Sequence, residues 1–154
     1  MVIERAKLKD AKEILDLQKL AYKSEAEIYD DYTIPPLIQS LKEIETDFEN
    51  QTFLKVLVDG KIIGSVRAYM RNETCLIGRL IVHPDFQNQG IGTELMNEIE
   101  SYFSKARRFE LFTGHKSERN IYFYQKLGYQ LSVRSFLWWF YRIDCQRGIG
   151  ACRD

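Results

Sequence analysis

Leu80-Ile81-Val82-His83-Pro84-Asp85-Phe86-Gln87-Asn88-Gln89-Gly90-Ile91-Gly92-Thr93-Glu94-Leu95-Met96 is the stretch whose reading decides the fold. Leu80, Ile81 and Val82 read as the end of a buried strand, His83-Pro84 stops it, and Gln87 to Gly92 leads into an apolar-periodic segment. Strand, glycine loop and helix make a phosphate-binding layout. Gly90 and Gly92 let the backbone approach a ligand, and the first N–H groups of the helix face an anion with the positive end of the helix dipole behind them. A tight strand-to-helix turn accounts for a lone Gly-x-Gly equally well. The spacing Gln-x-x-Gly-x-Gly argues against a dinucleotide fold, and the absence of Gly-Lys-Ser/Thr after Gly92 excludes a triphosphate loop.

Upstream of this stretch, three strands are expected in sequence. Phe53 to Val58 alternates, Asp59-Gly60 is a hairpin turn, Lys61 to Met70 returns with Gly64 as a bulge, and Thr74 to Val82 follows the turn Arg71-Asn72-Glu73. Val2 to Ala6 reads as a further short strand. Between them, Ile14, Leu17, Ala21, Ser24 and Ile28 mark one long helix, with Asp10 near its start, and Pro35-Pro36 opens a second through Leu37, Leu41, Ile44 and Phe48. The connecting loop holds Tyr29, Asp30, Asp31 and Tyr32. With Glu25 it is either a solvated turn or a wall for a cationic substrate.

Downstream, Ile91, Leu95, Ile99, Tyr102 and Phe103 form the apolar face of a helix to about Ala106. Phe109 to Thr113 is a strand, parallel to the one before the loop because a helix joins them. Ser117 to Leu127 is a helix ended by Gly128. Gln130 to Ile143 reads as one strand, apolar on both faces through Phe136, Leu137, Trp138, Trp139, Phe140 and Tyr141. The domain therefore runs over residues 1–144, with 145–154 as a tail without chemistry.

A chain of 154 residues, 45% hydrophobic and 29% charged, suits one domain with its own core. Twenty-two basic residues balance twenty-two acidic ones, so no overall field draws the chain to nucleic acid or an anionic membrane. No apolar run spans a membrane and Met1 to Arg5 carries no signal pattern, which reads as cytoplasmic. Cys75, Cys145 and Cys152 lack metal-ligand spacing and, with only His83 and His115 as partners, no metal is expected; reduced thiols are the default.

In two places the chain resembles the GNAT family, the Gcn5-related N-acetyltransferases. Leu80 to Pro84 followed by Gln87-Asn88-Gln89-Gly90-Ile91-Gly92 is similar to the family's acetyl-CoA signature. Asn120 to Tyr129, with Tyr124 four residues before Gly128-Tyr129, resembles its second cofactor segment. The resemblance runs from the N-terminal strand to about Tyr129. It implies an α/β fold, with a mostly antiparallel mixed sheet flanked by helices and splayed where acetyl-CoA binds.

On that resemblance, Gln87, Asn88, Gln89, Gly90, Ile91, Gly92 and Thr93 bind the pyrophosphate through backbone N–H groups. Ile81 and Val82 pair with the pantetheine arm, and the Val82 N–H polarises the thioester carbonyl. A neutral primary amine, on a small molecule or a protein, then attacks directly in a ternary complex, and Tyr124 protonates the departing thiolate. A core tyrosine beside Tyr122, Phe123 and Tyr129 is the other reading of Tyr124. An amine with a pKa of about 10.4 is neutral in only about one molecule in a thousand near pH 7, so a base or a water path matters. Glu73, Glu25 and Asp31 are candidates, and Arg79 stands where some members of the family carry an acid.

The sequence departs from the family pattern at one further point: Ser117 stands where the family often has Asn, and Asn120 is favoured for the pantetheine arm. His83 is a loop residue at the strand stop, and His115, Lys116 and Arg119 are either a solvated basic turn or neighbours of the cofactor phosphates. Residues 130–143 match no pattern, which leaves acceptor contacts and a homodimer open. A catalytically silent acyl-CoA-binding sensor is the alternative function, and a structural domain without ligand the weaker third.

Overall fold

Phe53 to Val56 and Ile62 to Ala68 are buried residue after residue, as in strands covered on both faces. They lie in β2 (Thr52–Val58) and β3 (Lys61–Arg71), joined by Asp59-Gly60 with φ of 51° and 77°, the left-handed pair that a two-residue hairpin turn needs. The computed structural model describes residues 1–134 and 140–146. Its other strands are β1 (Val2–Arg5), β4 (Thr74–Val82), β5 (Arg108–Gly114), β6 (Gln130–Arg134) and β7 (Phe140–Gln146). Among the described residues these seven form one sheet in the order β1-β2-β3-β4-β5-β7-β6. The sheet is mixed: β4 and β5 are parallel, while β1-β2, β2-β3, β5-β7 and β6-β7 are antiparallel.

Two details of register bear on function. Val56 pairs with Gly64 and Leu57 with Ile62, so Ile63 is the extra residue of a bulge beside Gly64, where the sequence places one. The parallel register of β4 with β5 covers Thr74, Cys75 and Leu76 against Arg108, Phe109 and Glu110, and it runs no further among the described residues.

The helices are shorter and more numerous than the periodicity suggests. The expected long first helix is α1 (Ala11–Ala21) and α2 (Lys23–Tyr29), after a one-turn 3-10 helix at Leu8–Asp10. Tyr22 separates them: at φ −85° and ψ 1° its N–H is shared between the carbonyls of Gln18 and Leu20. The second expected helix is also two, α3 (Pro35–Ile38) and α4 (Leu41–Asn50). Ser40 restarts the ladder, its hydroxyl accepting the Glu43 N–H at 3.1 Å while the Glu43 carboxylate accepts the Ser40 N–H at 3.0 Å. Apolar spacing carried across that capping box hides the break. After β4 come α5 (Ile91–Tyr102), four residues shorter than expected, and α6 (Glu118–Lys126).

The single strand expected over residues 130–143 is instead the antiparallel pair β6 and β7, in register from Gln130 with Asp144 to Arg134 with Tyr141. The chain reverses within a stretch too long for a typical single strand. Phe136, Leu137, Trp138 and Trp139 lie outside the described residues, as do residues 147–154, while β7 itself continues through Cys145 to Gln146. Cys75 is a buried free thiol, but Cys145 is disulfide-bonded, so the expectation of reduced thiols fails there.

The chain divides into two compact units. The first comprises Met1–Tyr69 with Arg79–Tyr102, the second Met70–Gly78 with the chain from Phe103 onward. The core of the first gathers Ala6, Ile14, Leu15, Leu17, Ile44, Phe53, Ile62 and Ile81, with the Phe48 and Phe53 rings stacked at 3.8 Å. In the second, Phe109, Leu111 and Ile143 are buried, and Arg108 is held between Glu110 and Asp144.

At the base of the first unit Asp10 meets Lys55 at 2.9 Å, both nearly sequestered, and the same oxygen, Oδ2, accepts the Lys7 N–H at 2.8 Å. Burial pushes the Asp10 carboxyl up, but the Lys7 N–H and the Lys55 ammonium outweigh it and hold the group below its ordinary 3.8. The bond to Asp10, working against burial, raises Lys55 above 10.5. The lowered acid contributes stability present above pH 3.8 and lost as pH falls through its folded value. The raised base contributes stability present below pH 10.5 and lost as pH rises through its own. Lys55→Met is therefore expected to cost about 3–5 kcal/mol at pH 7 in urea unfolding, because it strands a buried carboxylate. The loss should shrink below pH 4 as Asp10 protonates.

Candidate active site

The loop after β4 is pinned at its start. The His83 N–H donates to the Ile63 carbonyl at 2.8 Å, tying the end of β4 to the bulge in β3. His83 Nδ1 accepts the Asp85 N–H at 3.1 Å and caps the 3-10 turn Pro84–Phe86, the structural role expected of it. Gln87 Nε2 donates to the Val82 carbonyl at 3.4 Å, so one side chain of the loop holds the strand end it leaves. Asn88 and Gly90 then take φ of 63° and 81°, both exposed, and turn the chain into α5.

The first ladder bond of α5 is from the Glu94 N–H to the Gly90 carbonyl at 3.1 Å. The N–H groups of Ile91, Gly92 and Thr93 thus have no acceptor within the helix. A Cβ on Gly90 would meet nothing within 4 Å, so the backbone lies open to solvent there. No Arg or Lys occurs from Gln87 to Thr93. Left-handed turns opening a helix with unspent amides and no competing cation suit a phosphate group. Ile81, Val82 and Gln87 to Thr93 are all in the first unit and follow one another directly.

Asn120 and Tyr124 lie on α6 in the second unit. Ser117 is buried at the N-cap, whereas Asn120 is exposed one turn in. The half-buried Tyr124 ring meets Phe123 at 5.1 Å and Tyr129 at 6.0 Å, both edge-on. The Tyr124 carbonyl accepts the N–H groups of Leu127 and Tyr129 at 3.0 Å, and Gly128 (φ 92°) closes the helix. The Tyr124–Gly128–Tyr129 spacing is thus a helix C-terminus.

The candidate bases are largely engaged elsewhere. Asp31 accepts from Thr33 Oγ1 at 2.6 Å and from the Thr33 N–H at 2.8 Å, which lowers its carboxyl; this is a turn rather than a substrate wall. Glu73 pairs with Arg107 at 3.4 Å on the surface of the second unit. Glu25, on α2, is half-buried.

A polar cluster inside the first unit escapes the sequence reading. Arg67, 3% exposed, donates to Asp47 Oδ2 at 3.0 Å and Gln18 Oε1 at 2.6 Å, and lies over the Phe53 ring at 4.4 Å. Gln39 Nε2 reaches the same Asp47 oxygen at 2.7 Å, and Gln39 Oε1 accepts from Gln18 at 3.0 Å and from Arg79 Nη1 at 3.0 Å. Burial, and next the charge of Arg79, bring Arg67 down to about 10 against the pull of Asp47. Burial raises the Tyr22 phenol, and Arg79 offsets part of that. Arg79 is in the left-handed region at φ 50°, a backbone strain on the order of 1–3 kcal/mol for a residue with a side chain. The available signals were a charge in the apolar run Ile62 to Ala68 and a glutamine on the apolar face of α1.

The model of the acetyltransferase (GNAT) family matches residues 11–129. The chain belongs to the GNAT family. It is similar to UPF0157 protein YqkA of Bacillus subtilis, 34% identical over 121 residues, which are 78% of this chain and 34% of that protein. It is also similar to an uncharacterized N-acetyltransferase, MJ1207, of Methanocaldococcus jannaschii: 34% identical over 82 residues, 47% of this chain and 36% of that one. This GNAT chain thus spans about a third of the length of these two relatives. In fold it matches the PaiA N-acetyltransferase of Thermoplasma acidophilum in complex with coenzyme A, at TM-score 0.80 and 17% identity, over 95% of this chain and 99% of that one. The ribosomal-protein-S18-alanine N-acetyltransferase of Escherichia coli matches at TM-score 0.77 and 15% identity, over 99% and 95%. At these identities the likeness is one of fold. Among the described residues, no helix is long and apolar enough to cross a membrane.

The bulge under the GNAT loop gives a direct test. A Cβ on Gly64 would lie 3.2 Å from Leu95 Cδ1 and 3.3 Å from the Ile81 carbonyl oxygen. Gly64→Ala is expected to cost about 1–3 kcal/mol in urea unfolding, as overpacking. Gly90→Ala has open space around it and should lose only the left-handed penalty, about 1–2 kcal/mol.

Proposed function

We propose that this chain is an N-acetyltransferase that moves the acetyl group of acetyl-CoA to a primary amine by direct attack in a ternary complex. The observation that carries the reading is the entry to α5: left-handed Asn88 and Gly90 followed by the unspent N–H groups of Ile91, Gly92 and Thr93. Such a group of amides fits a pyrophosphate, and with no lysine or arginine in the loop the amides and the helix dipole must meet its charge. Family membership supplies the chemical class.

In this reading Gln87, Asn88, Gln89, Gly90, Ile91, Gly92 and Thr93 bind the pyrophosphate. The backbone of Ile81 and Val82 pairs with the pantetheine arm, which Asn120 also contacts. When bound, acetyl-CoA supplies the activated thioester. The Val82 N–H donates to the thioester carbonyl oxygen, where negative charge grows during attack. The Tyr124 hydroxyl gives its proton to the departing sulfur.

Deprotonation of the amine falls to water or to an acid of the chain; of the candidates, Asp31 is bonded to Thr33 and Glu73 is paired with Arg107. The acceptor class includes small molecules and protein amines, the latter in keeping with the fold likeness to an enzyme named for ribosomal-protein S18 alanine.

Calorimetry with coenzyme A, alongside thiol release from acetyl-CoA with a panel of amines, tests the reading. The wild type should bind coenzyme A and release thiol only when amine is present. Tyr124→Phe should keep coenzyme A affinity within about twofold and lower kcat by about 100-fold, the contribution of a positioned proton donor. Binding without amine-dependent release for any amine would mark a sensor, and absence of binding would remove the loop assignment.

A further inference from the structure

Arg67 and Arg79 meet in one cluster through Gln18 and Gln39, and the charge of Arg79 helps depress the protonation of Arg67, yet the carboxylate bonded within that cluster is a single one, Asp47. Asp47 is taken up by Arg67 at 3.0 Å and by Gln39 at 2.7 Å. Arg79 has only the neutral Gln39 Oε1 as hydrogen-bond acceptor and pairs with no carboxylate among the described residues. Arg79 is therefore a half-buried guanidinium with no carboxylate in ion-pair contact among the described residues and with most of its donors unspent. A residue held at φ 50° within a strand, clamped from behind by Gln39, is positioned rather than free to swing into solvent. The charge of Arg79 reaches the Glu43 carboxylate and, after the Ser40 bonds, helps lower it, but Glu43 accepts its hydrogen bond from the Ser40 N–H and not from Arg79.

Arg79 lies three residues before Val82 on β4, at most about 10 Å along the strand. We propose that Arg79 is the specificity residue for a carboxylate on the acceptor, so that the amine acetylated belongs to a free amino acid or a similar small zwitterion. This rests on the transferase reading above, with Val82 marking where the thioester carbonyl lies. One free guanidinium matches one negative charge, and its planar fork suits a carboxylate; a phosphate dianion would leave charge uncancelled. A polyamine, with cations only, would meet repulsion at the same point.

The test uses acceptor pairs that differ only in the carboxylate, lysine with cadaverine and phenylalanine with phenethylamine, together with phosphoethanolamine and a peptide bearing an acidic residue next to its N-terminal amine. Thiol release gives kcat/KM, and calorimetry in the presence of coenzyme A gives acceptor binding without turnover. The wild type should favour the carboxylate member of a pair by about 10- to 100-fold, the range for a hydrogen-bonded charge pair. Arg79→Gln keeps a donor for Gln39 Oε1 and should bring the two members within about threefold while coenzyme A affinity stays unchanged. Arg79→Lys should keep part of the preference. An Arg79-dependent preference for the acidic peptide would retain carboxylate recognition and move its source to a protein.

An unchanged ratio in Arg79→Gln, a preference for the decarboxylated amines or for phosphoethanolamine, or no calorimetric signal from any carboxylate-bearing amine would overturn the assignment. Failure to bind coenzyme A would instead fall on the transferase reading itself.

Discussion

Burying one guanidinium sets the terms for the helical half of the first unit. Arg67 sits on β3 among apolar neighbours at 3% exposure, and a charge there is tolerated only when paired and fully hydrogen-bonded. Asp47 from α4 supplies the charge, Gln18 from α1 an amide oxygen, and Phe53 from β2 a ring face. Gln39, between α3 and α4, closes the circuit, and Gln18 also donates to the Pro36 carbonyl at 2.9 Å. Short helices that would be marginal alone are thus fixed to the sheet and to one another through a single cation. The break at Ser40 becomes intelligible on this view: Gln39 before it and Asp47 after it both reach the same centre.

The glycine loop after β4 depends on the sheet in a different way. The bulge at Gly64 removes side-chain bulk where Leu95 and the Ile81 carbonyl crowd the strand, and the Ile63 carbonyl receives the His83 N–H. The end of β4 and the start of α5 are therefore positioned by backbone fit, and Gln87 adds a tether to Val82. Rigid support of this kind suits a site whose donors are main-chain amides, because amides cannot adjust by changing rotamer. The polar cluster and the loop share β4, with Arg79 and Val82 three residues apart.

Much of this was legible in the chain. Asp59-Gly60, Gly64 and the glycine loop each require a particular backbone, so they fixed the hairpin, the bulge and the strand-to-helix turn, and parallel pairing followed from the intervening helix. The helix boundaries were not legible from apolar spacing, which carries through Tyr22 and Ser40 although the backbone does not; the Ser40-x-x-Glu43 box was the overlooked sign. The reversal within residues 130–143 was hidden because residues 136–141 are apolar without a break and no glycine or Asn-Gly marks a turn. The cluster around Arg67 was missed because it joins residues as far apart as Gln18 and Arg79, and only tertiary structure reveals that Arg67 pairs with Asp47 while Arg79 joins through Gln39. That Arg79 stands where some members of the family carry an acid was visible as a departure, but not its bond to Gln39.

The chain from Pro84 to Ser104 contains no lysine, so the glycine loop and the helix it opens carry no side-chain amine. A protein that handles an activated acetyl group can modify its own lysines, and those nearest the thioester would be the most exposed. Under the function proposed above, the groups that would meet the anion are peptide N–H groups, which neither titrate nor accept an acetyl group in water. On that proposal the loop's affinity is insulated both from pH and from the chemistry carried out beside it.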